Sequence, residues 1–219
     1  MILSIFSNLK KMSKDETALN NFKEYKILLL GESNVGKTTI FNRYIFDRLD
    51  KNQGSTIGVD FEAKNFKYKN QAYSIKLFDT AGQERFQSIT KAYYHMGDGF
   101  LIVFDLTNEN SLKAIGDWIS SLKEDKKEFK FLIIGNKNDL KNQIPENVIN
   151  EYLKDYKDIY IKTSAIKNEN IKESIKKLID LLDNDENNLE NNDNKEEVIK
   201  ITNPKKSKTS RKNKNARCC

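Results

Sequence analysis

Short apolar runs alternate with longer amphipathic stretches along most of the chain, and this alternation constrains the fold more than any other feature. Five runs have the length and the composition of strands; they lie at 26–30, 73–78, 100–105, 130–135 and 159–163. Most are apolar on both faces, as expected in a sheet that helices cover on both sides. The more polar run at 61–70 ends in a Lys-Asn turn and is typical of an edge strand that forms a hairpin with the next run.

Helical periodicity fills the intervals between these runs. Apolar residues recur on one helical face at Leu112, Ile115, Ile119 and Leu122, and again at Ile171, Ile175, Leu178 and Leu182. Pro145 suits the first turn of another helix. The alternation of strands and helices predicts an α/β fold with a six-stranded, mostly parallel sheet and helices on both faces.

The periodic pattern ends near Leu182, and the composition then changes. Residues 183–194 are polar and acidic with almost no apolar side chain, which predicts disorder. The N-terminal stretch MILSIFSNLKK has no leading positive charge, and its apolar part is short for a signal peptide. It is interpreted as a disordered or weakly amphipathic extension. We therefore predict an N-terminal extension at 1–23, one domain at 24–182 and a disordered tail at 183–219.

The net charge of +6 arises from residues 200–219. From Lys200 onward there are eight cations and no acids, so the remainder of the chain carries 6 − 8 = −2. This distribution argues against a basic nucleic-acid-binding face on the domain, and no nucleic-acid partner is expected. A basic tail can be simply solvated, or it can be attracted to an anionic membrane, and charge alone does not choose between the two.

The only cysteines are Cys218 and Cys219, which are adjacent at the end of the chain. Neighbouring cysteines close no useful loop, so they cannot stabilise a fold as a disulfide framework does. A reducing, intracellular setting is therefore expected. No apolar run approaches the ~20 residues of a membrane-spanning helix.

Residues 31–38, GESNVGKT, fit the phosphate-loop pattern GxxxxGK[ST], between a predicted strand and a predicted helix. Gly31 and Gly36 allow the tight turn that points backbone N–H groups at phosphate oxygens, and the following helix N-terminus adds positive potential. Lys37 is expected to reach the β- and γ-phosphates, and the Thr38 hydroxyl to bind Mg²⁺. Adenylate kinases, ATPases and GTPases all carry this loop.

Residues 135–139, GNKND, indicate which base is bound. The Asp139 carboxylate has two acceptors that match the N1–H and 2-amino donors of guanine, whereas adenine would leave a buried acceptor unpaired. Asn136 can donate to N7, and the stem of Lys137 can cover the base. The segment TSA at 163–165 follows the last predicted strand, where a backbone N–H can meet the guanine O6.

Residues 79–86, DTAGQERF, predict the part of the site that responds to the γ-phosphate. Asp79 ends a strand, where it can hold Mg²⁺ through water, and Gly82 can offer its N–H to the γ-phosphate. Gln83 can orient the attacking water. The Thr56 hydroxyl could complete the Mg²⁺ site only when a γ-phosphate is present.

These motifs resemble those of the Rab proteins, which are small GTPases of the Ras superfamily with the P-loop NTPase fold. The similarity covers about 24–182. Its Rab-like parts are IGVDF at 57–61, LFDTAGQERF at 77–86, YYHMGDG at 93–99, LIVFDLT at 101–107 and the final Cys-Cys. The resemblance implies a GTP/GDP switch in vesicle traffic that acts as a monomer. It predicts that the nucleotide contacts Gly31, Ser33, Asn34, Val35, Gly36, Lys37, Thr38, Thr39, Thr56, Asp79, Gly82, Asn136, Lys137, Asp139, Ser164 and Ala165.

The resemblance also implies partners and a location. Phe61, Phe78 and Tyr93 match the aromatic triad that Rab proteins present to effectors, with Ile57 beside it, although Phe78 can equally be a core aromatic. Geranylgeranyl groups on both cysteines would anchor the chain to the cytoplasmic face of an endomembrane, cycling with the cytosol, because two lipid chains hold stably where one does not. The expected regulators are an exchange factor, a GTPase-activating protein, and a GDP dissociation inhibitor or escort protein.

The sequence departs from the Rab pattern at several positions. Leu49 stands where the family usually has an aromatic that stacks on guanine, and Gln53 stands where it usually has Tyr, with Gly54 after it. Phe78 replaces a common Trp, and Ile166 replaces a common Lys. These changes leave open a nucleotide-binding module with impaired hydrolysis, although Gln83 and Thr56 argue against it. A P-loop kinase fails on NKND and lacks an evident lid.

Overall fold

The computed structural model describes residues 22–49, 56, 58–82, 87–141 and 144–184, with only the backbone described at 87–89. The predicted extension and nearly all of the predicted tail lie outside these residues, so the three-region division stays a prediction. Of the predicted site residues, Ile57, Gln83, Cys218 and Cys219 also lie outside them.

A six-stranded sheet forms the centre of the described fold. In chain order the strands are β1 (Phe22–Leu30), β2 (Val59–Tyr68), β3 (Gln71–Thr80), β4 (Gly99–Asp105), β5 (Lys130–Asn136) and β6 (Tyr160–Lys162). Their order across the sheet is β2-β3-β1-β4-β5-β6. Only β2 and β3 pair antiparallel, and the other neighbours are parallel. The predicted α/β architecture is confirmed.

Helices follow most strands. They are α1 (Lys37–Phe46), α2 (Gln87–Ala92), α3 (Glu109–Lys113), α4 (Ile115–Asp125), α5 (Glu146–Tyr152) and α6 (171–184), with 3₁₀ turns at Tyr94–Met96 and Lys154–Ile159. The single helix expected around Leu112 and Leu122 is divided at Ala114, where two short helices meet. Within the described residues, no helix is both long and apolar enough to cross a membrane.

The sheet buries apolar residues on both faces, which confirms the prediction from the apolar runs. In β1, Ile27 and Leu29 belong to one buried cluster, and Leu28 and Leu30 belong to the other, because successive strand side chains point to opposite faces. Helices α1 and α6 cover the first cluster. Helices α4 and α5 cover the second, in which Trp118 is buried as a packing residue.

The edge hairpin has the geometry that its sequence indicates. Strand β2 lies at one end of the sheet and pairs only with β3 among the described strands, with Phe61 opposite Phe78. The turn residues Lys69 and Asn70 both have positive φ, at 46° and 65°. Two positive φ values are the signature of the hairpin turn whose twist matches its strands.

The parallel strands direct several loops to one edge of the sheet. The carboxyl ends of β1, β4 and β5 lie side by side there, and the loops that follow them begin at Gly31, Leu106 and Lys137. Ligands of open α/β sheets bind at this edge. The topology therefore gathers most of the predicted motifs, although they are up to about a hundred residues apart in sequence.

Candidate nucleotide-binding site

The phosphate loop between β1 and α1 is shaped by residues with positive φ. Gly31, Asn34 and Gly36 have φ of 134°, 64° and 97°. A Cβ atom at Gly31 would lie 2.1 Å from the carbonyl oxygen of Val103 in β4, so glycine is required for this close approach. The loop then runs directly into α1, whose first residue is Lys37. Its backbone N–H groups are therefore available to an anion.

The side chain of Lys37 reaches back into this loop. Its ammonium donates to the carbonyl oxygens of Gly31 at 2.8 Å and Glu32 at 2.7 Å, and the residue is buried. Burial lowers the pKa of Lys37 to about 8, and the charges of Asp79 and Glu32 oppose that decrease. A phosphate group beside the ammonium would favour its charged form, because an opposite charge raises the pKa of a lysine.

Gly82 brings a second segment against the same lysine. A Cβ atom at Gly82 would lie 2.2 Å from Nζ of Lys37 and 2.5 Å from the carbonyl oxygen of Glu32. Only glycine allows the backbone after β3 to approach the phosphate loop this closely. This observation agrees with the predicted γ-phosphate contact at Gly82.

Two hydroxyl groups and a carboxylate meet beside the loop. Oγ1 of Thr38 and Oγ1 of Thr56 are 2.8 Å apart, and Thr56 donates to Oδ2 of Asp79 at 3.4 Å. Oδ1 of Asp79 is buried and has no hydrogen-bond partner among the described residues. Burial raises the pKa of Asp79 to about 6, and hydrogen bonds from the two threonines and the charge of Lys37 oppose that increase.

This arrangement fits a small divalent cation. Mg²⁺ prefers oxygen ligands and usually binds through one or two carboxylates together with water and phosphate oxygens. A buried carboxylate oxygen without a partner is costly, and a cation would compensate for it. Among the described residues, no three His, Cys, Asp or Glu side chains form a metal-binding group. Thr38, Thr56 and Asp79 are oxygen donors of the kind that Mg²⁺ takes together with water and phosphate oxygens.

A cavity of about 180 Å³ lies next to the phosphate loop where the base is expected. It is lined by Gly36, Thr39, Asn136, Lys137, Asp139, Leu140, Ala165 and Ile166. The phosphate loop and the two predicted base-binding segments thus contribute to one cavity. Leu140 and Ile166 give it exposed apolar edges that the motif analysis did not assign.

Asn136 connects the three segments. Its Nδ2 donates to the carbonyl oxygen of Val35 at 3.0 Å, which links β5 to the phosphate loop. Its Oδ1 accepts from Oγ1 of Thr163 at 3.2 Å and from the backbone N–H of Ala165 at 3.3 Å. The side chain is buried and holds the site together, and its predicted contact with N7 stays a prediction.

Ser164 orients the carboxylate that is expected to bind the base. Its buried hydroxyl donates to Oδ1 of Asp139 at 2.5 Å and accepts from the backbone N–H of Lys167 at 3.0 Å. Ser164 was predicted to contact the nucleotide. In the structure its hydroxyl contacts Asp139, which fixes the direction of the other carboxylate oxygen.

Asp105 belongs to the site, and the sequence analysis did not identify that role. It ends β4 and caps the loop that follows, because it accepts from both the backbone N–H and the hydroxyl of Thr107 at 2.8 and 2.7 Å. Its other oxygen lies 2.6 Å from Nζ of Lys137, which has a positive φ of 67°. The ion pair holds the lysine stem beside the base cavity. The signal available in the sequence was an acidic residue at the end of β4, the strand that precedes the one leading into NKND.

The predicted effector residues form a continuous aromatic contact. Phe61 stacks on Phe78 with ring centroids 5.2 Å apart, and Phe78 lies 6.3 Å from the ring of Tyr93. Phe61 is 56% exposed, whereas Phe78 is buried. Phe78 is therefore a core residue that supports an exposed aromatic, and its predicted contact with effectors stays a prediction.

Comparisons with known proteins agree with this geometry. Residues 26–184 match the model of the Ras family. Ras-related protein Rab-32D of Dictyostelium discoideum is 36% identical over 187 residues, which cover 80% of this chain and 82% of that protein. Human Ras-related protein Rab-15 is 38% identical over 161 residues, which cover 72% of this chain and 76% of that protein. Human Ras-related protein Rab-3A is 33% identical over 176 residues, which cover 78% and 80%. The chain therefore belongs to the Ras family as a Rab-type small GTPase, an enzyme that hydrolyses GTP and acts as a GTP/GDP switch in intracellular trafficking.

Proposed function

We propose that this Rab-type GTPase binds one guanine nucleotide with Mg²⁺ across the site described above. The observation that carries the proposal is the bond from Asn136 to the carbonyl of Val35, because it places the base-binding strand end directly against the phosphate loop. A single ligand can then contact both the phosphate loop and the base-binding segments. The N–H groups of residues 33–36, with Lys37, would hold the β- and γ-phosphates, and Thr39 would approach the phosphate nearest the sugar.

Thr38, Thr56 and Asp79 would hold the metal ion. An ion held by these residues would supply positive charge that offsets the charge developing on the phosphate oxygens during hydrolysis. Thr56 would also contribute a switch, because its hydroxyl lies 2.8 Å from that of Thr38 and would add a ligand to the ion when a γ-phosphate is present. Loss of the γ-phosphate removes the contacts of Thr56 and Gly82, and the two segments are then free to relax.

Asp139 would select guanine. Its Oδ1 accepts from the Ser164 hydroxyl with one lone pair, so the second lone pair and Oδ2 remain for the two guanine donors. The backbone N–H of Ala165 lies at the same cavity, and it would be shared between O6 and Oδ1 of Asn136, to which it donates at 3.3 Å. A polar site of this kind rejects a base without matching donors by ~10⁴ or more.

Gln83 would orient the water that attacks the γ-phosphate. The sequence offers no arginine that can be assigned a transition-state role within the chain, since Arg85 belongs to the switch motif. An activating protein that supplies an arginine is therefore proposed, and such a residue contributes ~10³–10⁵ in rate. The presence of Gln83 favours this reading over a module without useful hydrolysis.

The Gln83→Leu substitution is expected to slow single-turnover GTP hydrolysis by about 10- to 100-fold, because the attacking water loses its orienting group. Nucleotide affinity should change little. The measurement is phosphate release from preloaded protein, with and without a cytosolic activator extract. Gln71→Leu, in the edge hairpin, is the matched control. Equal rates for Gln83→Leu and the unmodified protein would contradict the assigned role.

Leu49 has consequences for how long the nucleotide stays bound. It is 36% exposed and stands where the family usually has a stacking aromatic. Stacking of two aromatic systems contributes about 1 kcal/mol. We expect this chain to release GDP faster than Rab proteins that have the aromatic.

Leu49→Phe should slow GDP dissociation by about 2- to 10-fold, because it restores a stacking surface. Dissociation of a fluorescent GDP analogue in excess unlabelled GDP measures this rate. Met96→Phe, which adds an aromatic at another exposed position, should leave the rate unchanged. A dissociation rate that Leu49→Phe does not lower would refute the stacking argument.

The proposed membrane anchor is a geranylgeranyl group on each of Cys218 and Cys219. Eight cations between Lys200 and Arg217 would add attraction to the anionic cytosolic leaflet of an endomembrane. A GDP dissociation inhibitor or escort protein would carry the lipidated GDP form through the cytosol. An exchange factor would then reload it with GTP, and effectors would bind the exposed face of Phe61.

The double substitution Cys218→Ser/Cys219→Ser should move the tagged protein from the membrane fraction to the cytosol. Each single substitution should leave weaker, reversible membrane binding, because one chain is marginal. Fractionation and imaging of cells measure both effects, with Ser210→Ala in the same tail as the control. Unchanged membrane association of the double variant would exclude a lipid anchor at these cysteines.

A further inference from the structure

Arg43 joins the helix behind the phosphate loop to the segment that lines the base cavity. Its Nε donates to the carbonyl oxygen of Ala165 at 2.9 Å, and its Nη2 donates to the carbonyl oxygen of Ile166 at 3.2 Å. The side chain is only 13% exposed. No motif identified this residue, because its partners lie 122 and 123 residues away in sequence.

The guanidinium is held in a fixed orientation. Its Nη1 donates to the backbone oxygen of Asp47 at 3.2 Å and to Oδ1 of the same residue at 3.4 Å. Asn168, from the far side of the 165–168 turn, donates to that same Oδ1 at 3.4 Å. Asp47 is the cap of α1 and has a positive φ of 52°. Contacts on several sides therefore fix the plane of the guanidinium.

These contacts determine how two consecutive peptide groups are oriented. Peptide groups are planar, so fixing a carbonyl also fixes the N–H in the same plane. In a trans peptide these two groups point in opposite directions, and the described residues contain no cis peptide. By holding the carbonyls of Ala165 and Ile166, Arg43 directs the N–H of Ile166 away from α1. The preceding peptide is held by other bonds, since the N–H of Ala165 donates to Oδ1 of Asn136 and the carbonyl of Ser164 accepts from the N–H of Glu169.

We propose that Arg43 is a positioning residue for base recognition, which fixes the peptide between residues 165 and 166 so that the N–H of Ile166 meets the guanine O6. The inference rests on the proposed guanine site and adds to it the residue that sets one of its contacts. It also predicts that the phosphate half and the base half of the site are coupled through α1.

A simpler role for Arg43 would be to stabilise the end of α1. Lys64 offers a matched control, because its ammonium donates to the carbonyl oxygens of Tyr44 and Ile45 at the same helix end. Lys64 has no described contact with residues 165 and 166. Lys64→Met therefore removes a cation from the end of α1 without releasing the base-binding segment.

The experiment compares three diphosphates on full-length protein with Mg²⁺. The first is GDP, and the second is 6-thioguanosine diphosphate, in which sulfur, a weaker acceptor, replaces only O6. The third is inosine diphosphate, which lacks only the 2-amino group expected to bind Asp139. Dissociation constants are measured by competition for wild type, Arg43→Met, Arg43→Lys and Lys64→Met, with melting temperatures as the check on folding.

Wild type should prefer GDP to the 6-thio analogue by about tenfold, the worth of one good hydrogen bond. Arg43→Met should reduce that preference to about twofold or less and leave the preference for GDP over inosine diphosphate unchanged. Arg43→Lys can reach one carbonyl but not both, so its preference for GDP over the 6-thio analogue should lie between those of wild type and Arg43→Met. It replaces Arg43→Met in the comparison if that variant does not fold. Lys64→Met should keep both preferences.

An undiminished preference for GDP over the 6-thio analogue in the Arg43 variants would overturn the inference, even if all three affinities fall together. If wild type binds the three diphosphates equally, the proposed guanine site itself is wrong. The two failures are therefore distinguishable.

Discussion

The buried amide of Asn136 is the interaction on which the site depends. Its nitrogen bonds to the carbonyl of Val35 in the phosphate loop, and its oxygen accepts from Thr163 and Ala165 in the loop after β6. Three segments thereby share one buried side chain, although the first lies 101 residues before Asn136 and the third 27 to 29 residues after it. Buried polar groups that are fully paired specify a single arrangement, because any other arrangement leaves them unpaired. Bonds within the protein therefore fix the distance between the phosphate-binding and the base-binding segments.

Close backbone packing provides the second constraint. A Cβ atom at Gly31 would meet the carbonyl of Val103, one at Gly36 would meet Asn136, and one at Gly82 would meet Lys37. Gly82 brings the segment after β3 against the buried ammonium of Lys37, and the buried carboxylate of Asp79 has one oxygen without a partner among the described residues. Burying charged groups lowers the stability of the protein, and a bound phosphate and cation would offset that loss. The buried ammonium and carboxylate groups that lower stability are thus the groups that make the site selective for an anionic ligand with a metal ion.

The sequence predicted the features that depend on residues close together in the chain. Apolar runs located the strands, the Lys-Asn turn located the hairpin, and GESNVGKT and NKND located the site, because each pattern is local. Interactions that depend on the sheet order were not predicted. The ion pair between Lys137 and Asp105 requires β4 to lie beside β5, and the bonds from Arg43 to residues 165 and 166 require α1 to pack near the loop after β6. The division of the predicted helix at Ala114 was also missed, because its apolar residues keep helical spacing across the break.

The central claim is that one cavity holds the phosphates and reads the base of a guanine nucleotide. Competition between GDP and ADP for nucleotide-free protein in the presence of Mg²⁺ tests it most directly. The account predicts that GDP binds at least about 10³-fold more tightly than ADP, because adenine would leave the Asp139 carboxylate unpaired. Affinities for GDP and ADP that agree within about threefold would contradict it, whatever the other properties of the protein.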